Sequence, residues 1–593
     1  MSNALEQASL IMVPSGYEDG TLGSLKPTDG SGDFTFTRCN GAAQCDLAAT
    51  RVNADGYIEK GYENLLLQSN SFTTSPWTSN TNETSGQAGY DGSNDAWKLS
   101  AISGNSSRII QTFSISGLIT VSIYAKSAEW DYVGLYTAGS NKGVVWSLID
   151  GTPQNPIVAY PDIYGNGESI GNGWWRFSIT HNAIAGEYRI YPCEQNIYNG
   201  NNPDGVKGIY IQDAMLNQGM VAYPYLETTT APVAGGILED MPRLDYSNGS
   251  CPSLLLEPSR TNLVTNSEYG FVTGNTSIDY NNAISPEGYQ NAFKSTATTT
   301  SGVFTRVADI SGGVTNPLVS VFVKYGNNPW LNIIYSGSAD TYFNFNCQTG
   351  EFGTSVGSLT SNLKAEDYGN GWWRVSARFN YSGAGSLRVY MASSGTTGFA
   401  NGSTTIGNYF YGYGFQLEQD ATYPTSYIPT YGVSQTRLGE GRVNRLSSPI
   451  TFGAGEDFTL FFDGEFNNPI FSEMIMGGRT TSISYWWIQN YQSGKITSHL
   501  GNEMANWTYM NLSINTRYKM LVKRDSNVIK FFLNGVALTT NQSAGVSDPF
   551  TFQSLGYGFN DIGSYSFSGK LNQALVFPTA LSDEACIELT TIS

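Results

Sequence analysis

The chain has 593 residues, too many for one hydrophobic core, which stops growing at about 250–300 residues, so several domains are expected. Its 31 basic and 49 acidic residues give a formal charge of −18, and no run of Lys and Arg is present, which excludes nucleic acid as a partner held through phosphate neutralisation. Only 13% of residues are charged, while 66 glycines and 37 tyrosines point to many short strands joined by tight turns.

The start, MSNALEQASLIMVPSGYEDG, has an early acid and no basic segment ahead of an apolar stretch, so it does not read as a secretory signal. No apolar run approaches the roughly 18 residues of a membrane span, and the expectation is a soluble chain without membrane insertion. Residues 1–60 read as an extended arm, LIMVPSGYEDGTLGSLKPTDGSGDFTFTR followed by ATRVNADGYIE. Cys39 and Cys45 could bridge, although six cysteines scattered through a long chain read more simply as buried or idle thiols. With only His181 and His499, zinc lacks a ligand set.

The hexapeptide GNGWWR opens at Gly171 and again at Gly369. The same shift places NLLLQSN at Asn64 on NLVTNSE at Asn262, and SIYAK at Ser122 on SVFVK at Ser320. Within small slips that loops tolerate, AWKLS at Ala96 faces AFKST at Ala292, and AYPYLETT at Ala222 faces TYPTSYIPT at Thr422. The chain therefore carries a duplicated unit, residues 61–236 and 262–440 joined by a connector at 237–261, each the length of one β-sandwich. Gly-Asn-Gly supplies a turn with positive φ, and the strand that follows sends neighbouring residues to opposite faces. One tryptophan of each pair should enter the core while the other lies on the outer face, covered by the arginine or a neighbouring domain.

From residue 441 the pattern changes. FTLFFDGEF at Phe458 reads as an apolar strand, and RYKMLVKRDSNVIKFFLNGVAL at Arg517 as strand, turn, strand, Asn534-Gly535 turn, strand. Near the end, Ser582 is placed to cap a short helix with acids in its first turn. The fold class expected is all-β: tandem jelly-roll sandwiches with an extended amino-terminal arm and a third unit at 441–593.

The KRDSNVIKFFLNGV hairpin, the FSGKLNQALVF strand and the ALSDEACIEL ending resemble laminin-G-like and concanavalin-A-like domains, which implies a two-sheet sandwich that often binds glycans, sometimes with calcium. The two connectors, the YPTSYIPT exit and the GNGWWR strand are similar to fibre or appendage proteins of phages that infect Bacteroidetes, including crAss-like phages, and the repeats resemble jelly-roll carbohydrate-binding modules. This resemblance implies a virion protein, a head or tail fibre, homotrimeric, exposed on the particle surface and bound to other virion proteins through its arm. CNGAAQCDLA at Cys39–Ala48 departs from the plainer link between the FTFTR and ATRV motifs.

Chemistry is poorly supplied. Two histidines without suggestive neighbours do not build a nucleophilic triad, and Glu456, Asp463 and Glu465 lack the spacing of a jelly-roll glucanase strand, so no enzyme is expected. No cofactor is expected either, with calcium at Asp91 and Asp95 of YDGSNDAW as the one metal option. Binding without turnover fits better, because sugar rings stack on Tyr and Trp while hydroxyls pair with amides and acids. The candidate contacts to host-surface glycans are Tyr485, Trp486, Trp487, Trp507 and Tyr509 in the last unit, and Trp130, Tyr132 and Trp330 in the repeats. The rival functions are a capsid decoration protein that touches only virion subunits, and a polysaccharide depolymerase.

Overall fold

The computed structural model describes residues 5–592 apart from 19, 39–44, 103–106, 157–163, 199–201, 239, 308, 338–340, 358, 399–403, 441–444, 468–472, 480–484, 492–494, 501–502, 510–511, 514–515, 539–548 and 557–566. At 18, 45–46, 155–156, 360–362, 445, 473–474, 478–479, 485–491, 495–500 and 503–509 it describes the backbone only. Cys39 lies outside the described residues, as does the Cys45 side chain.

In the first repeat one six-stranded sheet runs in the order Tyr164–Gly171, Trp174–Ala183, Gly117–Ser127, Gly208–Gln218, Ala96–Ala101, Thr81–Gln87. The second repeat has the same order at the equivalent positions: Leu359–Asp367, Trp372–Phe379, Leu318–Tyr325, Tyr409–Glu418, Ala292–Ala297, Thr276–Ala283. The facing sheets match too. Pro153–Pro156, Lys142–Ser147, Tyr132–Thr137, Gly186–Cys193, Ile109–Phe113, Thr78–Ser79 corresponds to Glu351–Val356, Tyr342–Asn346, Trp330–Tyr335, Leu387–Ala392, Phe304–Arg306, Val272–Gly274. Alternation along these strands sends Ile119, Val121, Ile123, Val133 and Leu135 into one core and Val319, Val321, Val323, Leu331 and Ile333 into the other.

The duplication extends to single hydrogen bonds. Asn64 donates from Nδ2 to the carbonyls of Ala214 and Leu226 and accepts at Oδ1 from the amides of Leu66 and Leu216. Asn262 does the same with Phe415, Ile428, Val264 and Leu417. Ser69 bonds the Tyr225 hydroxyl at 2.6 Å, and Ser267 bonds that of Tyr427 at 2.6 Å. Each Gly208–Gln218-type strand bulges at the same place, with Asp213 (φ 57°) in one copy and Gly414 (φ 58°) in the other.

The GNGWWR motif is part of this scaffold. Asn172 and Gly173, like Asn370 and Gly371, sit at positive φ and reverse the chain into the strand. Trp175 stacks on Phe177 at 6.2 Å beside the main core, and Trp373 meets Phe345 at 6.1 Å. The partner indoles point the other way yet are the more deeply buried, at 2% exposure for Trp174 and 1% for Trp372. Each lies under its own small aromatic layer, Tyr90, Tyr124 and Tyr225 in the first repeat and Phe322, Tyr413 and Tyr427 in the second. Neither doublet projects both rings into one cleft.

The carboxy-terminal sandwich draws on three parts of the chain. One sheet runs Leu244–Asp245, Ser253–Leu256, Gly569–Phe577, Phe458–Phe466, Arg517–Asp525, Val528–Leu533, Val536–Ala537, with Leu10–Met12 also paired to Gly569–Phe577. The other begins with Tyr17–Glu18, Thr21–Leu22 and Phe34–Thr35, continues through Arg445–Phe452, Phe550–Leu555 and Glu473–Arg479, and ends with Tyr485–Tyr491, Lys495–Leu500 and Glu503–Tyr509. The amino-terminal arm thus runs extended across this sandwich and buries Leu10, Met12, Leu22 and Phe34 in its core, and the connector adds Leu244, Leu254 and Leu256. The helix Asp583–Thr590 is capped by Ser582, whose hydroxyl accepts from the Ala585 amide, as the sequence predicts.

Replacing either framework asparagine leaves four buried backbone groups without partners, each worth about 1–3 kcal/mol. Asn64→Ala and Asn262→Ala should therefore each lower the stability of their own repeat by about 3 kcal/mol or more, read as a shift in the urea midpoint, whereas Asn53→Ala at a half-buried turn should shift it by well under half of that.

Candidate ligand-binding groove

The groove starts from a hairpin in the segment VNADGYIEK. Thr50–Val52 pairs with Ile58–Lys60, and the Asn53 side chain closes the turn by accepting from the amides of Asp55 (3.0 Å) and Tyr57 (2.9 Å). The Ile58 amide donates to the Pro286 carbonyl at 2.8 Å, so the hairpin is laid on the second repeat. Alternation then turns Ile58 and Lys60 inward.

Lys60 is 3% exposed, and its ammonium lies 3.0 Å from Glu268 Oε1 and 3.1 Å from Glu287 Oε2. The Tyr413 hydroxyl reaches both carboxylates, at 3.1 and 2.8 Å, while Tyr427 bonds Glu268 at 3.0 Å. Tyr223, which belongs to the first repeat, bonds Glu287 Oε1 at 2.7 Å. Burial works against the Lys60 charge, but the fields of Glu268 and Glu287 outweigh it and hold the ammonium well above its ordinary pKa. Burial likewise raises the Glu268 carboxyl, with Lys60 opposing.

Above this charged floor is a groove of ≈420 Å³ between the hairpin and the two repeats. Tyr62 stacks on Tyr223 with centroids 4.9 Å apart and planes at 23°, and Tyr289 meets Tyr223 edge-on at 5.4 Å. Tyr57 packs over Gly288, whose φ of +85° and missing Cβ let the ring sit close. Tyr57, Tyr62 and Tyr289 are half-buried, so each keeps part of a ring open to the groove. Burial raises the pKa of Tyr62 and of Tyr289, which keeps both phenols as donors. Glu59 on the rim is held by Arg51 at 2.8 Å. The arrangement offers apolar ring faces and phenolic donors over a fixed ion cluster, and its acids are already engaged.

The eight aromatics expected from sequence fare differently. Trp130 is 3% exposed in the core of the first repeat and has no ring face to offer a ligand. It precedes the strand Tyr132–Thr137, its own amide donates to the Gly208 carbonyl at 3.1 Å, and outside the regular alternation its ring turns into the core. Tyr132 and Trp330 start the equivalent strands Tyr132–Thr137 and Trp330–Tyr335 and are half-buried, with the Trp330 ring against Gly395 of an overlying loop. They belong to different repeats, and the structure does not bring them into the groove. Tyr485, Trp486 and Trp487 lie on one strand, and Trp507 and Tyr509 on another of the same sheet, with Lys495–Leu500 between them. Their side chains, and that of His499, lie outside the described residues.

Asp91, Ser93 and Asp95 converge on the Gln212 amide nitrogen, 3.3, 3.4 and 2.7 Å away, so an N–H donor sits where the loop oxygens meet. Among the described residues no group of three or more His, Cys, Asp or Glu is placed to hold a metal ion. Beside this loop Asp213 is pushed up to about 7 by burial, against a hydrogen bond from Tyr90 and with Asp95 and Asp91 adding to the rise. His181 is buried with Nε2 2.7 Å from Thr137 Oγ1, and burial pushes it down to about 4. Asp463 is taken by Arg517 at 2.7 and 2.6 Å, and Glu456 accepts from the Gly453 amide. Cys193, Cys347 and Cys586 are buried free thiols, and Cys251 is an exposed one.

No family model matches the chain, and no curated protein matches it. Solved structures similar to it include the CBM40 of Ruminococcus gnavus IT-sialidase bound to α2,3-sialyllactose, 18% identical over 23% of this chain and 84% of that one, with a TM-score of 0.21. The NanB sialidase of Streptococcus pneumoniae is 15% identical over 24% of this chain and 25% of its own, with a TM-score of 0.19. A protein from Bacteroides ovatus named for carbohydrate binding is 10% identical over 56% of this chain and 86% of that one, at a TM-score of 0.19.

Two measurements follow from the charged floor and the Asp213 loop. Lys60→Met strands two buried carboxylates and should cost about 3–5 kcal/mol in chemical unfolding, with much of the loss recovered when Glu268→Gln is added. Because Asp213 has a raised folded pKa, the native state holds its proton longer than the unfolded chain, so its contribution is full below about pH 4 and is lost as the pH rises through about 7. Asp213→Asn should therefore flatten the fall in melting temperature of the first repeat between about pH 4 and 7, the window those two pKa values set.

Proposed function

We propose that this chain is a non-catalytic glycan-binding protein and that the tyrosine groove is a saccharide site. The observation that carries the reading is three half-exposed tyrosine rings, Tyr57, Tyr62 and Tyr289, set around the buried Tyr223. A sugar presents apolar C–H faces to such rings and hydroxyls to their phenols. Turnover would need two carboxylates free to move protons, whereas Glu287 is bound by Lys60, Tyr223, Tyr413 and Asn291, and Glu59 by Arg51. This supports binding without hydrolysis. The setting we propose is a phage head or tail fibre, on the strength of the connector and exit motifs, with the particle surface as its location and a homotrimer as its assembly. Several weak sugar contacts then act together on the host surface.

A glycan array with the full-length chain, followed by calorimetry on the hits, tests the assignment. Tyr62→Ala and Tyr289→Ala should each weaken the best ligand about tenfold, equivalent to ~1.4 kcal/mol, while Trp486→Ala and Trp487→Ala leave that ligand bound. Retention of binding in both tyrosine variants with loss in the tryptophan variants would move the site to the carboxy-terminal sheet, and a blank array with intact melting would remove the glycan reading.

A further inference from the structure

A second cavity, of ≈600 Å³, opens where the second repeat and the connector meet the carboxy-terminal sandwich. Its walls come from distant parts of the chain: Asp55 at the hairpin tip, Asp245–Asn248 of the connector, Glu366–Asn370 and Arg374 around the second GNGWWR turn, and Glu465 and Lys570 of the last unit. Six carboxylates and three cations line it, and most are already paired. Lys570 lies 3.3 Å from Asp245, Lys364 lies 2.7 Å from Glu366, and Glu257 is held from behind by Arg243 and Arg437 at 2.9 and 3.1 Å. Without an ion-pair partner among the described residues are Asp55, Asp367 and Glu465 on one side and Arg374 on the other. Asp367 accepts only from the Gly369 amide, and Glu465 from Asn248 Nδ2 at 3.0 Å.

Arg374 is the informative residue. It is 2% exposed, donates from Nη2 to Ser320 Oγ at 3.1 Å and lies over the Phe322 ring, and its Nε, like that of Arg176, is buried without a hydrogen-bond partner. The equivalent Arg176 of the first repeat bonds the carbonyls of Ala222 and Tyr223 in the Tyr-Pro exit. In the second repeat the guanidinium makes no bond to that exit and lines the cleft instead. Without the two carbonyls that its counterpart bonds, this guanidinium asks for an acceptor, while the carboxylates around it ask for donors.

We propose that this cleft is a second binding site, separate from the tyrosine groove, and that it takes an amine-bearing saccharide. Hydroxyl groups both donate and accept, so one sugar satisfies Arg374 and the carboxylates together. Three unpaired carboxylates against one guanidinium leave the lining negative, which favours an ammonium-bearing ring over a neutral or acidic one.

The test uses the full chain with a glucosamine tetramer, its N-acetylated counterpart, a uronic acid tetramer and tetralysine, measured by calorimetry at low and high salt. The glucosamine tetramer should bind about tenfold or more tightly than the N-acetylated form, ~1.4 kcal/mol, and weaken as salt rises. Asp367→Asn and Glu465→Gln, at positions reached by solvent, should each reduce that affinity several-fold with unchanged melting, and Tyr62→Ala should leave it intact. Equal binding of the N-acetylated or uronic tetramer, tetralysine binding as tightly as the sugar, indifference to both carboxylate variants, or no binding of the glucosamine tetramer would each overturn the proposal. Loss through Tyr62→Ala would do so as well, by placing the ligand in the other groove.

Discussion

The ammonium of Lys60 is the point through which three segments of the chain are fixed to one another. It arrives on the amino-terminal hairpin, meets Glu268 and Glu287 of the second repeat, and through Glu287 reaches Tyr223 of the first. Removing such charges from water costs several kcal/mol per ion, offset here by the ion pairs and phenolic hydrogen bonds, with Glu268 Oε2 left as the one carboxylate oxygen of the group without a partner. Here four tyrosines surround the ion group, with Tyr223 and Tyr431 also placing ring faces 5.5 and 5.4 Å from the ammonium. An apolar filling of the same volume would tolerate sliding of the hairpin, whereas this network has one register. A second cluster, Arg243 with Glu257, Glu440 and Arg437, does the same for the connector and the exit strand, and there the two guanidinium groups outweigh burial and bring Glu257 down to about 2. The connectors are therefore not spacers. Their charged residues are the buried parts of the joints.

The two copies show how a duplicated sandwich adapts to having a neighbour. In the first repeat Tyr90 stacks on Tyr124 at 3.9 Å, and the Gln212 amide sits among Asp91, Ser93 and Asp95, so the layer above Trp174 is supplied by the repeat itself. In the second repeat Phe322 replaces Tyr124 and Tyr413 replaces Gln212, and the layer is completed from outside by Ile58 and Lys60. The framework bonds of Asn64 and Asn262 are unchanged, because they close the sandwich whatever lies on it.

What could be read from the sequence follows from range. The two repeats, their strand patterns and the capped helix at Ser582 were legible because each rests on local periodicity or on a repeated interval. The strands Leu10–Met12, Thr21–Leu22 and Leu244–Asp245 were not, since two or three residues carry no usable alternation and gain their place only from pairing far along the chain. The tyrosine groove was missed for the same reason: Tyr57 and Tyr62, Tyr223, and Tyr289 are far apart in sequence and meet only through the Lys60 joint. The Tyr-Pro exit and the GYIEKGYENL segment were the available signals, with an alternation that turns Lys60 inward. Trp130 misled because its neighbour Tyr132 faces outward, and a two-residue step apart from the regular strand does not preserve the face.

Part of the outer face of one sheet is already covered in each copy. In the first repeat Tyr198 crosses above Gly134 and Gly143, with its hydroxyl on the Leu135 carbonyl at 2.7 Å. In the second the loop at Gly395 covers Gly353 and the Trp330 ring, held by a 2.7 Å bond from the Thr354 amide. The tyrosine groove and the second cleft lie at the joints, where convex sandwiches cannot fill the angle between them. A site built at a joint inherits its geometry from the buried ions that set the joint, so in this chain the positions of the tyrosines depend on residues that no ligand would touch.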